Sequence, residues 1–276
     1  MGLRNSVPLE YSHMKRYLKI LLQLSKMALK KLSQFRINTI GMILSTSAWS
    51  LLVIGTIFLN TRYINNVFGY TPAELMAIGA IQIIFLGVFH TLVSPNIEKI
   101  SEYMNQGFLD TMLLKPIDSQ FLVSLTHINL PALFRILIGI SILTYFVQTG
   151  AVQYGGIPSL IGFVLSLGFG LVLVYSIWFV FGTFMVWYPQ MDNLVEFLYH
   201  LNTTARYPMS FFQEFGVLFV ILFGPFSMAL TVPFRVFMGI ANIGEVILLM
   251  IVSIVFFAFS RWFWFHALRS YTSSSV

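Results

Sequence analysis

Cysteine does not occur in the 276 residues, which excludes disulfides and thiolate metal sites. Charge is scarce. Only 9% of residues are charged and 57% are hydrophobic, where an average soluble domain carries about 25% charged residues. No G-x-x-x-x-G-K-[ST] run is present, so the chain does not hydrolyse nucleotide by the phosphate-loop mechanism. The five histidines, His13, His90, His127, His200 and His266, are scattered, and none forms H-E-x-x-H or a comparable metal pair. No Asp or Glu falls near the middle of an apolar run, where a proton-driven carrier or an intramembrane protease keeps ionisable groups.

What remains is apolar sequence gathered into runs of about 20 residues, the length that crosses a bilayer. The expected fold is an all-α membrane protein with six transmembrane helices in one domain over residues 1–276. The expected spans are Ile40–Leu59, Leu75–Val93, Leu130–Val147, Ile157–Trp187, Phe215–Val232 and Val246–His266. The fourth is long enough to tilt, bend or project from the membrane. Such a chain has no room for a soluble catalytic domain.

Ahead of the first span, Lys15, Lys19, Lys26 and Lys30 recur at spacings of four and seven, on one helical face. Tyr17, Leu21, Leu24 and Ala28 mark one edge of the opposite face. A basic amphipathic helix over residues 14–36 is expected to lie in the headgroup layer. Lys and Arg stay mainly on the cytoplasmic side. With both termini inside, Lys99, Lys115, Arg206 and Arg269 join the N-terminal basic residues there, and only Arg62 and Arg235 fall outside. The net charge of +6 reflects this retention and not a nucleic-acid partner.

Between spans two and three lies a segment, residues 94–118, that carries Asp110, Lys115 and Asp118. Ser94-Pro95 reads as a helix start, with Ser94 as cap. Ile97, Ile100 and Met104 share a face, while Glu98, Lys99 and Glu102 point elsewhere. Gly107 ends that helix, and "FLDTMLL" forms a second short one before Pro116. The segment is either a solvated loop with a hydrophobic lid or a docking element for a cytoplasmic protein.

Other residues leave two readings each. Arg135 in the third span either snorkels to the interface or makes a polar contact in a translocation path. Trp49 and Trp178 lie deep enough to face a cavity or to pack. Gly162, Ser166 and Gly170, spaced by four, allow close helix approach, within the subunit or between subunits. Glu196 and His200 form an exposed i, i+4 pair.

This order of parts resembles the permease subunit of type-two ATP-binding-cassette (ABC-2) exporters. It is closest to a bacterial branch with a G-x-L/F-D-x-L-L-x-(K/R)-P segment after the second span, here "GFLDTMLLKPI" (Gly107 to Ile117). "ARYPMSFF" (Ala205 to Phe212) and the ending "FWFHALRSYTSSS" resemble the same branch. The resemblance implies that residues 94–118 form the coupling helix seated in a separate ATPase, through Glu98, Glu102, Phe108, Leu109, Asp110, Leu113 and Leu114. It implies an ATPase dimer as partner, which binds the ATP, with no cofactor on this chain. A second permease subunit, identical or a sister chain, would complete the path in a bacterial cytoplasmic membrane. The expected activity is export of an amphipathic, drug-like or lipid-like compound. The alternative is a substrate-capturing membrane subunit of a vitamin importer.

Overall fold

The computed structural model describes residues 9–61, 63, 69–188, 192–205 and 207–271. The polar opening through Pro8, Arg62, Arg206 and the serine-rich tail lie outside the described residues. In chain order the helices are α1 (Leu9–Gln34), α2 (Arg36–Thr61), α3 (Pro72–Leu92), α4 (Ser94–Ile97), α5 (Ile100–Asn105), α6 (Phe108–Leu113) and α7 (Ser119–Leu125). A 3₁₀ turn, Leu130–Leu133, leads into α8 (Phe134–Gln148), followed by α9 (Ile157–Phe184), α10 (Asp192–Thr204), α11 (Met209–Gln213), α12 (Val217–Met238) and α13 (Ile243–Arg269). Among the described residues six helices are long and apolar enough to span a membrane: α2, α3 with its continuation, the 3₁₀ turn with α8, α9, α12 and α13. The end of the bundle that carries residues 94–118 is called the near end, the opposite one the far end.

Local chemistry sets several boundaries. Thr71 closes a capping box with Glu74, whose carboxylate accepts from the Thr71 amide at 2.7 Å, and Pro72 occupies the first turn. Asn242 caps α13, its side-chain oxygen accepting from the Gly244 amide at 3.1 Å. At the near end the second span bends at Ser94-Pro95 and runs on to Asn105, because proline removes a donor from the ladder. Ser94 does not cap α4; its hydroxyl meets His90 Nδ1 at 2.9 Å instead. The amphipathic helix begins at Leu9 and ends at Gln34, and Arg36 already belongs to the first span. Tyr17, Leu21, Leu24 and Ala28 are among its partly covered residues, while Lys15, Lys19, Lys26 and Lys30 are exposed.

Packing centres on α3. About 72% of the second span's apolar stretch is buried within the chain, against 6% of the first. With little hydrophobic drive between helices in lipid, association depends on close van der Waals fit. A methyl at Gly139 would lie 2.7 Å from the Ala80 carbonyl oxygen, so α8 and α3 touch backbone to side-chain-free backbone. On α9 a methyl at Gly170 would lie 2.5 Å from the Ala229 carbonyl oxygen, and one at Gly162 would lie 2.9 Å from Val236. Ser166 between them is buried. The stripe Gly162, Ser166 and Gly170 therefore packs α9 on α12 within the chain.

The stretch between α9 and α12 is more ordered than a connecting loop. Tyr199 of α10 donates to Glu98 at the near end, yet three residues on, the Asn202 carbonyl accepts from Gln82, midway along α3, at 3.3 Å. Tyr207 gives its carbonyl to Ser227, midway along α12, at 2.7 Å. Phe212 then stacks on Phe223 at 5.5 Å on the way back. This is a re-entrant hairpin whose tip reaches halfway into the bundle. Irregular backbone at that depth is tolerated only where protein covers it, and Leu198, Asn202, Ala205 and Phe212 are all buried.

Replacing Gly170 by Ala should force α9 from α12 and cost about 1–3 kcal/mol. Gly168→Ala, on the same helix but facing open space, should be neutral or stabilising by about 0.5–1 kcal/mol. Thermal unfolding of the purified variants in detergent measures both.

Candidate functional site

Segment 94–118 has two faces. Ile97, Ile100, Tyr103, Met104, Leu109 and Met112 are buried against the bundle. Ile97 and Ile100 reach Gly182 at the end of α9, where an added methyl would sit 2.9 Å from each. Gly107, with φ +70°, reverses the chain between α5 and α6, a left-handed conformation that glycine adopts at little cost. Outward, Glu98 and Glu102 are exposed, and so are Phe108, Leu113 and Leu114, the last by 86%. Leu114 is thus almost free of intrachain cover, whereas Leu109, expected on the docking surface, is 1% exposed and anchors the segment from inside.

Four groups of contacts fasten this segment to the rest of the chain. The Asp118 carboxylate takes a 2.6 Å bond from the Arg261 guanidinium of α13 and caps α7 through the Phe121 amide at 2.9 Å. Burial pushes the Asp118 carboxyl up, but hydrogen bonds from Arg261 and from the Phe121 and Gln120 amides outweigh it and hold the group below the usual carboxylate range. Next to it, Trp264 donates to Ser119 at 3.0 Å. Asp110 lies against the Tyr271 phenol, whose pKa burial and that carboxylate both raise. Tyr17 of α1 accepts from the Asp118 amide at 3.3 Å and sets its ring edge-on to Phe121.

Asn96 supplies the third tie. It is fully buried, donates to the carbonyls of Leu92 at 2.7 Å and His127 at 2.8 Å, and accepts from the His127 amide at 2.6 Å. The His127 ring is held on both sides, by Tyr103 Oη at 2.8 Å on Nδ1 and Lys99 Nζ at 3.3 Å on Nε2. An ammonium can only donate, so Nε2 is the acceptor and the ring is neutral. Burial, then the charges of Lys99 and Lys31, keep its pKa below 6.5, against the smaller pull of Glu102. The fourth tie is Tyr199 of the hairpin on Glu98. Tyr199 also stacks on His90 at 5.5 Å and meets Trp178 edge-on at 5.0 Å.

The other predicted residues are dispersed. Trp178 is fully buried, bonded to Asn202 at 3.2 Å and packed edge-on against Phe89. It fills the core instead of lining a cavity. Trp49 is 59% exposed on the bare face of α2. Arg135 follows the 3₁₀ turn at the near end of α8, its Nε buried without a partner. The Glu196–His200 pair is open to solvent at 4.0 Å. At the far end a cavity of about 500 Å³ lies between α3, the hairpin, α12 and α13; Tyr70, Glu74, Met209, Thr231, Arg235 and Glu245 are among its lining. Arg235 is paired with Glu245 there at 2.9 Å. Among the described residues no cluster of three or more His, Asp or Glu could hold a metal. Gln82, Asn202 and Ser119 were missed in the sequence because each is an isolated polar residue whose partner lies far along the chain.

The family described as "ABC-2 family transporter protein" matches residues 44–275. No curated protein and no solved structure matches the chain. The chain belongs to that family. It is accordingly the multi-pass permease component of an ABC transporter and not its ATPase; the amphipathic part of α1 lies ahead of the matched region.

The His127 tie has a pH signature. Because the folded pKa lies below 6.5, its contribution is complete above pH 6.5 and shrinks as pH falls from 6.5 toward the lowered folded value. Thermal stability should therefore drop as pH falls below about 6.5, and His127→Gln should flatten that part of the profile.

Proposed function

We propose that this ABC-2 family chain is one half of an exporter, and that segment 94–118 is where a separate ATPase takes hold. The observation that carries the reading is the two-faced build of the segment. One face is anchored by Leu109, Asn96 and Asp118, and the other leaves Phe108, Leu113 and Leu114 uncovered beside Glu98 and Glu102. A solvated loop has no use for both. A piece that must pass force from one protein to another needs a grip inside and a contact outside.

In this reading ATP binding to a dimeric ATPase moves segment 94–118, and the bent extension of α3 carries the displacement into the centre of the bundle. Only an ATPase that prefers one arrangement of the spans can shift the equilibrium between them. A second permease, identical or a sister chain, completes the path, and the bare α2 supports that expectation. The cargo is an amphipathic compound, which suits the far cavity, where methionines and threonine share the lining with Arg235 and the two glutamates. The membrane is a bacterial cytoplasmic membrane, with both chain ends inside. Arg135, with its unpartnered Nε close to the segment, is assigned to the cargo side of the near end.

Copurification with the cognate ATPase tests the coupling assignment. Leu113→Ser combined with Leu114→Ser should lower recovery of the ATPase by about tenfold, the equivalent of 1.4 kcal/mol, with the monomer's thermal stability unchanged. Undiminished ATPase recovery by that variant would place the joint elsewhere.

The absence of cysteine makes orientation directly measurable. A single cysteine at Lys99 or Lys115 in intact cells should resist a membrane-impermeant maleimide, and one at Glu245 should react. The reverse pattern would turn the chain over and remove the ATPase from segment 94–118.

A further inference from the structure

A second cavity is larger than the far one. It holds about 640 Å³ at the near end and is walled by α1, α3, α7, α9 and α13, away from the bare α2. That volume falls in the range of sites for drug-sized ligands. Most of its wall is aliphatic or aromatic, with Val88, Leu92, Leu171 and Phe257 among the lining. One part is polar, formed by Asp118, Gln120, Ser124, Tyr175 and Arg261.

The hydrogen bonds in that polar part leave one group over. Gln120 donates through Nε2 to the Tyr175 phenol at 3.2 Å, and the phenol and Ser124 Oγ share a 2.7 Å bond. Gln120 is 2% exposed, yet its Oε1 has no partner. A buried acceptor left unmade is costly, and a ligand donor at this wall would satisfy it. Arg261, meanwhile, uses one of its nitrogens on Asp118, and a guanidinium has five N–H groups to give. The cavity thus offers a carboxylate beside a cation with donors to spare, and the unfilled Gln120 acceptor lies beneath its wall, where a turn of the side-chain amide would present it to a ligand. A primary ammonium joined to a phosphate is the complement of that arrangement. Tyr17 of the amphipathic helix and residues of the fourth and sixth spans border the cavity, so the apolar matter that adjoins it is the acyl layer of the leaflet on the segment's side.

We propose that this cavity binds a membrane phospholipid with a primary-amine head, its ammonium donating to Gln120 and Asp118, its phosphate on Arg261 and an acyl chain along Leu171 and Phe257. The site is separate from a path between two permeases and does not depend on the coupling reading. Because Asp118 ends the segment and Gln120 lies in α7, which follows it, an occupied cavity braces the Asp118–Arg261 tie.

Native mass spectrometry of the purified full chain, with phosphatidylethanolamine and phosphatidylcholine of identical chains added singly, reads the binding. The two heads share charge and phosphate, but only the ethanolamine has N–H donors. Retention of phosphatidylethanolamine should exceed that of phosphatidylcholine by about tenfold, as expected for a charge-assisted bond to a buried acceptor. Gln120→Leu should narrow the ethanolamine preference, the remainder resting on Asp118, and leave the choline lipid unchanged. Leu171→Trp, which fills the cavity without touching the polar part, should lower both. Equal retention by the wild-type chain, a full ethanolamine preference surviving in Gln120→Leu, or undiminished lipid retention by Leu171→Trp would overturn the assignment.

Discussion

Close backbone approach around α3 is the constraint from which the rest of the molecule follows. Water-driven burial cannot hold spans together inside lipid, so fit and shared polar contacts must do it. Where Gly139 meets Ala80 and Gly170 meets Ala229, no side chain separates the helices. These contacts fix α8 on one side of α3 and α9 on α12. Phe85, Phe89 and Trp178 then fill the space between α3 and α9, while Phe179 meets Trp264 of α13 edge-on. Buried hydroxyls such as those of Thr91, Ser176 and Thr183 bond a carbonyl one turn back in their own helix, while Gln82 and Trp178 reach across to Asn202, which pins the hairpin tip.

A tightly surrounded α3 matters because the same helix leaves the bundle. Past Ser94-Pro95 it bends and continues through α4 and α5, with Ile97 and Ile100 still in contact with α9 at Gly182. A displacement of segment 94–118 therefore cannot be absorbed by a slack connection. It meets the Asp118–Arg261 pair, the Trp264–Ser119 bond and the Asn96–His127 exchange, each between different elements. In the exporter reading these ties decide which helices follow the ATPase: α13 through Arg261 and Trp264, α1 through Tyr17, and the hairpin through Tyr199.

Much of this was legible in the sequence, and the limits have a physical pattern. Apolar runs revealed all six spans, since a bilayer imposes length and composition on each one separately. Lysine spacing revealed the amphipathic helix, and Gly107 and Pro116 bracketed α6, because these are local rules. What stayed hidden depends on contacts between distant residues. Asp118 and Arg261 are 143 residues apart, Gln82 and Asn202 are 120 apart, and no local spacing announces either. The hairpin escaped for the same reason: "VEFLYHLNTTARYPMSFF" is too short and too polar to read as a span, and only Asn202 hints that it enters the bundle. Residue type puts Leu109 on the docking surface and leaves Trp178 between a cavity and packing, because it gives depth, but the direction a side chain faces comes from its neighbours.

The uneven burial of the spans carries the argument one step further. Only 6% of the first span's apolar stretch is covered by the chain itself, and the helix has made itself fit for an apolar setting. Thr46, Ser50, Thr56 and Thr61 each bond a carbonyl one turn back, at 2.8 to 3.0 Å, so their hydroxyls demand nothing from outside. Gly41 and Gly55 face open space, which leaves room for another backbone to come close. A helix with these hydroxyls satisfied internally can lie against lipid or against a second subunit. In the reading of the chain as half an exporter, fixed packing around α3 and loose commitment on α2 supply a core that transmits motion and a flank free to slide.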